Sequence, residues 1–428
     1  MISCSILLVH QAAGNQASSS DVAPTGESEL ILHWASSIST TSAVDAALAE
    51  CEQAIRAQLA GIEPDFVLVF ASMSFHYQAG SLGAQVSRMF PGATVIGCTG
   101  AGVIGGGKEV ESSPAISITA AKLPGVNISA FHIGESDLPS SDDPPNAWEG
   151  IVGASSDSDP HFIVLADPFS INTEDLLSGL DFAFPLAAKV GGLASGGSQP
   201  GSNGIYLGET SFRDGAVGVA LTGNVVVDTV VAQGCRPIGE SMRVTSAASN
   251  MLLLVDDTPP LEVLQELFQH ASERDQRLMQ RNLFMGIGMD PLIENARAGD
   301  FLIRNIVGSD SSRGGIAVGA QLREGQMVQF HVRDADTSSG DLRSALAGYL
   351  RGLGNRNAVA ALMFQCTGRG QYLYGEEGHD MGIFNEMVGS LPVGGFFCNG
   401  EIGPVAGATY LHGYTSSFAM FRERMAAD

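Results

Sequence analysis

Three short runs of consecutive apolar residues recur along the chain, and each is followed by a segment with helical spacing. The runs are Phe66–Ala71, Phe162–Ala166 and Val359–Phe364. An unbroken apolar run of this length is typical of a strand that is buried on both faces of a sheet. We predict that the segments after them form helices, at Ala79–Met89, Asn172–Phe184 and Asp380–Leu391.

Each predicted helix is followed by one pattern of valine and glycine, V-x-G-x-x-x-x-G. Its copies are Val95–Gly102, Val190–Gly197 and Val393–Gly400. The first and third continue as G-x-I-G, and another apolar run follows each copy, at Ala115–Thr119, Ala216–Leu221 and Ser417–Phe421. The pattern predicts a repeated unit of strand, helix, short strand, glycine turn and strand. The alternative is chance recurrence, because the chain has 53 glycines.

The remaining segments predict further helices and strands. Apolar residues on one face indicate a helix at Pro259–Arg281, and Asp341–Leu353 reads as another. Strands are predicted at Phe301–Val307, Gly315–Val318 and Met327–Val332. The segment Glu135–Asp159 is so polar and rich in proline that we predict a loop or insertion.

Together these elements predict the α/β class, as a mixed α+β fold in two packed domains. The repeated strand–helix–strand–glycine-turn units belong to both domains, which we place at residues 31–240 and 250–424. Residues 1–30 read as a flexible, serine-rich lead-in, with a signal peptide as the alternative.

Charge and cysteine usage exclude several classes of partner. The net charge is −24, and no lysine or arginine lies between Lys122 and Lys189, so nucleic acid and anionic membranes are disfavoured. No apolar run is long enough for membrane insertion. The six cysteines form no CxxC pair and the histidines no HxH or HExxH spacing, so we expect no metal, no cofactor and a cytoplasmic location.

One segment resembles a phosphate-binding loop and then departs from it. The residues from Gly102 to Lys108 match G-x-x-x-x-G-K, but Glu109 stands where a P-loop needs serine or threonine for Mg²⁺. A carboxylate there would repel phosphates. The sequence therefore disfavours ATP or GTP binding.

The glycine turns and the ends of the buried strands are the predicted binding surface. Glycine lets backbone N–H groups approach a ligand, and strand ends are where α/β proteins usually bind one. The polar and glycine residues at these places are the candidate ligand-binding residues: Ser72, Thr99, Gly102, Asp167, Ser195, Gly197, Cys366, Arg369, Asn399, Gly400 and Glu401. The alternative is that they only cap tight turns.

Two of these candidates carry opposite charges. Glu401 lies between Gly400 and Ile402-Gly403, and could hold a ligand ammonium group, while Arg369 could hold a ligand carboxylate. Together they would suit a zwitterion such as an amino acid. The alternative is an internal pair of Arg369 with Glu401 that braces the turns.

The alternative function is an enzyme that uses a cysteine nucleophile. Apart from this alternative, we assign no catalytic residue. Cys98 and Cys398 lie in the turns, and His76, His379 or His412 would have to serve as the base. Buried cysteine more often acts as a small apolar filler, so we favour a protein that is not an enzyme.

Two of the glycine motifs resemble those of the FIST family, whose name links F-box proteins and intracellular signal transduction. Val95–Gly105 is similar to the glycine turn of its N-terminal domain, and Gly394–Pro404 followed by Leu411 and His412 is similar to the closing motif of its C-terminal domain. The resemblance implies a sensory module that binds small ligands such as amino acids. No signalling domain is recognisable in the chain, so we expect the output to pass through a separate protein partner or self-association. A protein-interaction scaffold is the further alternative.

Overall fold

The computed structural model describes residues 30–140, 142–290 and 299–425. The lead-in predicted for residues 1–30 therefore falls almost wholly outside the described residues. Helices and mixed sheets alternate along the chain, which confirms the mixed α/β class. Within the described ranges, no helix combines the length and apolar composition needed to cross a bilayer.

The first repeat contains six strands and two helices. In chain order they are β1 (His33–Ser39), α1 (Val44–Gln58), β2 (Phe66–Ser72), α2 (Ala79–Met89), β3 (Thr94–Gly100), β4 (Val103–Gly105), β5 (Lys108–Val110) and β6 (Ile116–Lys122). The predicted apolar strand and the helix after it are both confirmed.

The second repeat has the same order of elements. They are β7 (Val126–Ile133), α3 (Pro145–Val152), β8 (His161–Ala166), α4 (Thr173–Ala183), β9 (Lys189–Leu193), β10 (Ile205–Leu207), β11 (Thr210–Phe212) and β12 (Ala216–Gly223). The loop predicted at Glu135–Asp159 is wrong in part, because α3 lies within it. Its Trp148 is buried against Gly179 of α4, where a side chain would overlap the indole ring.

The third repeat begins with β13 (Val226–Ala232) and is then interrupted by an additional sheet. The interrupting elements are β14 (Cys235–Pro237), β15 (Met242–Ala248), β16 (Met251–Val255), α5 (Pro260–His270), α6 (Glu273–Met279), β17 (Leu283–Gly288), β18 (Phe301–Asp310), β19 (Gly315–Val318) and β20 (Met327–Arg333). The single helix predicted at Pro259–Arg281 is wrong. Ala271 has an extended backbone, and Ser272 starts a new helix by accepting a hydrogen bond from the N–H of Asp275.

The repeat then resumes in its usual order. Its elements are α7 (Ala335–Leu353), β21 (Ala360–Cys366), α8 (Gln371–Tyr374), α9 (His379–Met387), β22 (Val393–Cys398), β23 (Glu401–Val405), β24 (Ala408–His412) and β25 (Ser416–Arg422). Short 3₁₀ turns lie at Met73–Phe75, Glu135–Asp137 and Ser156–Ser158. The predicted domain boundaries stay a prediction.

The three repeats build three six-stranded sheets with one strand order. The orders are β1-β6-β2-β3-β10-β11, β7-β12-β8-β9-β23-β24 and β13-β25-β21-β22-β4-β5. In each sheet the central apolar strand runs parallel to the glycine-containing strand, and the other pairs are antiparallel. The additional sheet closes on itself, because β17 pairs with β20 as well as with β18.

The hairpin after each glycine-containing strand enters the sheet of another repeat. Hairpin β4–β5 of the first repeat pairs with β22, hairpin β10–β11 of the second pairs with β3, and hairpin β23–β24 of the third pairs with β9. Each repeat therefore gives one hairpin and receives one. This exchange brings the three glycine segments to the centre of the molecule.

Successive side chains of each central strand point to opposite faces of the sheet, and both faces are buried, which explains why these strands are apolar throughout. In β2, Phe66, Leu68 and Phe70 face a core shared with the other two sheets. Val67 and Val69 face the separate core under α1 and α2. The second and third sheets repeat this arrangement with α3 and α4, and with α7 and α9. The sheets thus surround a common core, and the helices cover them from outside.

The first glycines of the pattern lie in strands rather than in turns. Gly97 and Gly395 pair with Val69 and Met363 of the parallel neighbour. In the second copy the residue at this place is Gly191, which pairs with Val164 and lies one residue before the Gly192 that the sequence pattern aligns. A Cβ at any of the three glycines would overlap the carbonyl oxygen of that paired residue. Close approach of two strands, not a ligand, accounts for these glycines.

Candidate functional site

The ends of the three glycine-containing strands are joined by a cyclic set of backbone hydrogen bonds. The N–H of Thr99 donates to Gly204, that of Leu193 to Gly400, and that of Phe397 to Gly102, each at 2.9 Å. The three glycine turns therefore converge, but they do so by contacting one another. These contacts use the N–H of Thr99 and the carbonyl oxygen of Gly102.

Ser195 completes the contacts at the centre. Its N–H donates to Thr99 O at 3.1 Å, its Oγ accepts from the N–H of Ala101 at 2.8 Å, and the same hydroxyl donates to the carbonyl of Phe397. The serine bridges all three glycine segments and is 2 % exposed. Its role in the described structure is to hold the turns together.

Three other sequence candidates also have partners within the fold. Ser72 Oγ accepts from the N–H of Ala115 at 3.0 Å. Asp167 accepts from Ser170 Oγ at 2.7 Å and from Asn203 Nδ2 at 3.1 Å. The N–H of Gly197 donates to Asn203 Oδ1 at 3.0 Å. As ligand-binding residues, these three stay predictions.

The remaining turn residues line a cleft between the third repeat and the additional sheet. This cleft, which we call the Glu401 cleft, has a volume of about 380 Å³. Among the sequence candidates it brings together Cys366, Asn399, Gly400 and Glu401. The additional sheet contributes residues that include Ile303, Arg304 and Asn305, and the end of hairpin β23–β24 contributes Leu411, His412, Gly413 and Tyr414.

Glu401 is the central ionisable group of this cleft. Its Oε2 accepts from the N–H of Thr415 at 3.1 Å and from Thr415 Oγ1 at 2.7 Å, while its Oε1 is buried without a hydrogen-bond partner among the described residues. Burial raises the pKa of Glu401 to about 8, although the hydrogen bonds from Thr415 and the charges of Arg369 and Arg333 oppose the shift. Such a carboxyl is mostly protonated at neutral pH.

Comparison of the three hairpins indicates that the fold does not require a carboxyl at this position. Glu401 pairs with Gly192, whereas Val103 and Ile205 occupy the same place in the other two hairpins. All three side chains are fully buried. Because an apolar side chain suffices twice, the buried acid of the third repeat calls for a functional explanation.

Arg369 does not form the internal pair with Glu401 that the sequence left open. Its guanidinium contacts Asp380 instead, with Nε 2.5 Å from Oδ2 and Nη2 3.2 Å from Oδ1, and both side chains are fully buried. Nη2 also donates to the hydroxyl of Tyr374 at 2.6 Å. Arg369 does not line the Glu401 cleft, so its predicted role beside Glu401 has no support from the geometry.

The arginine that does line this cleft is Arg304 of β18. Its Nη2 donates to Leu411 O at 3.1 Å and contacts Glu174 Oε1 at 3.3 Å, while the side chain of Glu174 is 65 % exposed. Burial lowers the pKa of Arg304, and the charges of Glu174 and Glu401 oppose that shift. The sequence carries no signal for Arg304 as a site residue, because nothing in its own strand pattern connects it with the third glycine turn.

His412 and Tyr414 form another wall of the cleft. His412 Nε2 is 3.0 Å from Gly403 O, and burial lowers the pKa of the imidazole to about 4, so the ring is neutral at pH 7. Tyr414 has a positive φ of 68°, which is uncommon for a bulky residue. Its ring packs on Phe284 at 4.3 Å between centroids, and its hydroxyl donates to Asn305. Tyr414 thus connects the third repeat to the additional sheet.

The cysteines of the glycine turns lack the surroundings of a nucleophile. Cys98 and Cys398 are fully buried, and burial raises the pKa of both thiols well above the usual value. For Cys398 the neighbouring charge of Glu401 raises the pKa further. A reactive cysteine needs the opposite conditions, namely access and a lowered pKa.

The raised pKa of Glu401 predicts a pH dependence of stability. Between pH 6.5 and 8 the folded protein holds a proton on Glu401 that the unfolded chain has released, so stability falls as the pH rises, by at most about 1.4 kcal/mol per pH unit. Glu109, whose pKa is also raised chiefly by burial, acts in the same direction. We expect Glu401→Gln to reduce the slope of unfolding free energy against pH, measured by urea denaturation.

The window above pH 6.5 is chosen because buried histidines act oppositely below it. Burial lowers the pKa of His161, His331 and His412 to about 4, so the unfolded chain binds more protons between pH 4 and 6.5 and stability rises with pH there. Parallel slopes for the parent protein and the Glu401→Gln variant from pH 6.5 to 8 would contradict a protonated Glu401.

Comparison of the sequence with known proteins identifies the family of this chain. Residues 65–258 match the FIST N domain and residues 260–404 match the FIST C domain. An uncharacterized protein of Mycobacterium tuberculosis is 36 % identical over 391 residues, covering 90 % of this chain and 98 % of the relative. An uncharacterized protein of Mycobacterium bovis is 32 % identical over 393 residues, covering 91 % and 98 %. The chain belongs to the FIST family.

Proposed function

We propose that the chain is a sensory module that binds a small zwitterion of the amino-acid class in the Glu401 cleft and signals through a separate partner. FIST domains are generally linked to small-ligand-binding sensory signalling. The observation that carries the proposal is the buried carboxyl of Glu401. Its Oε1 has no hydrogen-bond partner in the described ranges, and its place is apolar in the other two hairpins.

The charges around the cleft suit a ligand with both signs. A ligand ammonium group would pair with Glu401 as an ionised carboxylate, and a ligand carboxylate would pair with Arg304. Arg304 is available for this exchange, because its ion pair with the exposed Glu174 is of the kind that contributes about 0–1 kcal/mol. The volume of about 380 Å³ lies within the range of roughly 300–1,000 Å³ that is typical of small-molecule sites.

Binding of an ammonium group should release a proton. At pH 7 a carboxyl with a pKa of about 8 is roughly 0.9 protonated, and pairing with a cation would ionise it. We expect isothermal titration calorimetry with an amino-acid panel, in buffers of different ionisation enthalpy, to show release of nearly one proton per ligand. The matching amines and carboxylic acids, which each lack one charge, should bind more weakly.

Three variants test the assignment of residues. We expect Glu401→Gln and Arg304→Met each to raise the Kd of the ligand by at least about tenfold, because each removes one charge-assisted contact. Glu401→Gln should also abolish the proton release. Glu174→Gln is the control, since it frees Arg304 and should not weaken binding. The proposal fails if no amino acid stabilises or binds the folded protein freed of carried-over ligand, or if binding survives both substitutions unchanged.

The alternative of a cysteine enzyme receives no support from the surroundings of Cys98 and Cys398. Alkylation with iodoacetamide at pH 7 would distinguish the two functions, because a catalytic thiolate reacts selectively and quickly. For the signalling partner, we propose only that it is not a polyanion, because the net charge of −24 repels polyanions. The cytoplasmic location remains part of the same proposal.

A further inference from the structure

A second cleft of the same volume lies at the first glycine turn. It measures about 380 Å³ and is lined by Ala101, Gly102, Glu111, Ser112, Thr367, Gln371, Tyr372 and Phe397. We call it the Glu111 cleft. It shares no lining residue with the Glu401 cleft except Thr367.

The two clefts are built from equivalent positions of two repeats. Gly102 and Gly400 accept the same backbone hydrogen bond from the neighbouring glycine-containing strand, at 2.9 Å in both cases. In the hairpins, Val103 pairs with Val110 as Glu401 pairs with His412. The two residues before the first member of each pair correspond, Ala101 with Asn399 and Gly102 with Gly400. The two residues after the second member correspond as well, Glu111 with Gly413 and Ser112 with Tyr414. All eight line their respective clefts.

The chain itself fills the equivalent position in the second repeat. There the turn is longer, and residues 196–203 are inserted between Ser195 and Gly204. Arg213, which corresponds to Glu111, donates to Gly201 O of this insertion at 3.0 Å, and Asn203 accepts from the N–H of Gly197. Two of the three equivalent positions are therefore open clefts and the third is occupied by protein.

Glu111 carries the one charge among the described residues that line the Glu111 cleft. Glu111 is half-buried, its Oε1 accepts from the N–H of Gln371 at 2.9 Å, and no hydrogen bond of the described residues is made to its Oε2. Within the described part of the chain, no lysine, arginine or histidine lines the cleft. The ring of Tyr372 is 83 % exposed at the same place and offers a face to a cation. The neighbouring Arg369 is committed to Asp380.

We propose that the Glu111 cleft is a second small-ligand site, which binds a compound with a cationic amine between the Glu111 carboxylate and the Tyr372 ring. The absence of a lining cation separates its ligand class from that of the Glu401 cleft, where Arg304 favours a ligand that also has a carboxylate. The site is independent of the function proposed for the Glu401 cleft.

The experiment uses butane-1,4-diamine as the probe and butane-1,4-diol as its uncharged control, with the full chain at pH 7. We expect calorimetry or ligand-observed NMR to detect binding of the diamine and not of the diol. Glu111→Gln should weaken binding by about tenfold through loss of a charge-assisted contact. Tyr372→Ala should weaken it by about two- to fivefold, the range of an exposed cation–π contact.

Glu377→Gln is the matched control, because Glu377 is an exposed neighbouring acid outside the cleft and its loss changes the net charge equally. It should change the diamine Kd by less than twofold. Glu401→Gln locates the site, since binding in the Glu111 cleft persists in that variant. No diamine binding, equal binding of the diol, equal effects of Glu111→Gln and Glu377→Gln, or loss of binding in Glu401→Gln alone would each overturn the proposal.

Discussion

Replacing Asp380 with asparagine is expected to lower the free energy of unfolding by about 3–5 kcal/mol, the usual cost of removing one partner from a buried ion pair. Arg369 is fully buried and cannot lose its proton, so the substitution leaves an uncompensated guanidinium in the interior. Asparagine has nearly the same volume as aspartate, which limits any packing defect. Equilibrium denaturation in urea measures the change.

The buried Glu109 provides a second test of the Arg369–Asp380 pair. The charge of Asp380 is among the causes that raise the pKa of the Glu109 carboxyl. When Asp380 becomes neutral, Glu109 should ionise more readily and pair in part with Arg369. We therefore expect the double variant Asp380→Asn with Glu109→Gln to be less stable than the sum of the two single changes.

The surface pair of Arg343 with Glu386 supplies the control. Its nitrogen and oxygen lie 2.7 Å apart, but both side chains are exposed, so Glu386→Gln should leave the free energy of unfolding nearly unchanged. A loss of similar size for Asp380→Asn would mean that the Arg369–Asp380 pair contributes as little as a solvated one.

Replacing Gly191 or Gly395 with alanine should destabilise the protein by at least about 4 kcal/mol, a loss that marks a specific defect. Both glycines have a φ of 151°, a conformation that L side chains rarely adopt. Their added Cβ would also overlap the carbonyl oxygen of Val164 or Met363, which are backbone atoms within a parallel sheet. Neither partner can move away without breaking the pairing of its strand.

Gly340 in α7 is the matched control for this prediction. Apart from the adjoining backbone of its own helix, no described atom lies within 4 Å of the position where its Cβ would be, so Gly340→Ala should stabilise the helix by roughly 0.5–1 kcal/mol. Far-UV circular dichroism during urea denaturation would record both effects. Tolerance of alanine at Gly191 and Gly395 would show that the strands can separate there.

The sequence predicts most of the local structure, because apolar runs and helical spacing are local signals. The helix Ala79–Met89 has the predicted bounds, and the strand starting at Phe66 extends by one residue to Ser72. The three exchanged hairpins were not predicted. They are short, and the strand that receives each one belongs to another repeat, so no local pattern reports the pairing.

In the candidate site, too, the sequence predicts what a local motif carries and not what tertiary contacts bring together. An isolated acid between glycines drew attention to Glu401, and the structure places it in a cleft with Asn399 and Gly400. The sequence suggests Arg369 as its cationic neighbour, because Arg369 lies just after a buried strand beside the third glycine turn. Its partner Asp380 is only 11 residues away but reaches it through α9, a relation that spacing alone does not reveal. Arg304 comes from the additional sheet, whose contact with the third repeat is tertiary.

The exchange of hairpins also has a consequence for how the chain acquires its structure. The glycine-containing strand β9 receives its second neighbour from β23, which is synthesised long after β9. Until then the edge of β9 remains open, and open strand edges favour aggregation. Contacts between distant parts of a chain also slow folding. We therefore expect a chain in which β23 has not yet been synthesised to expose this edge of β9 and to aggregate more readily than the full chain.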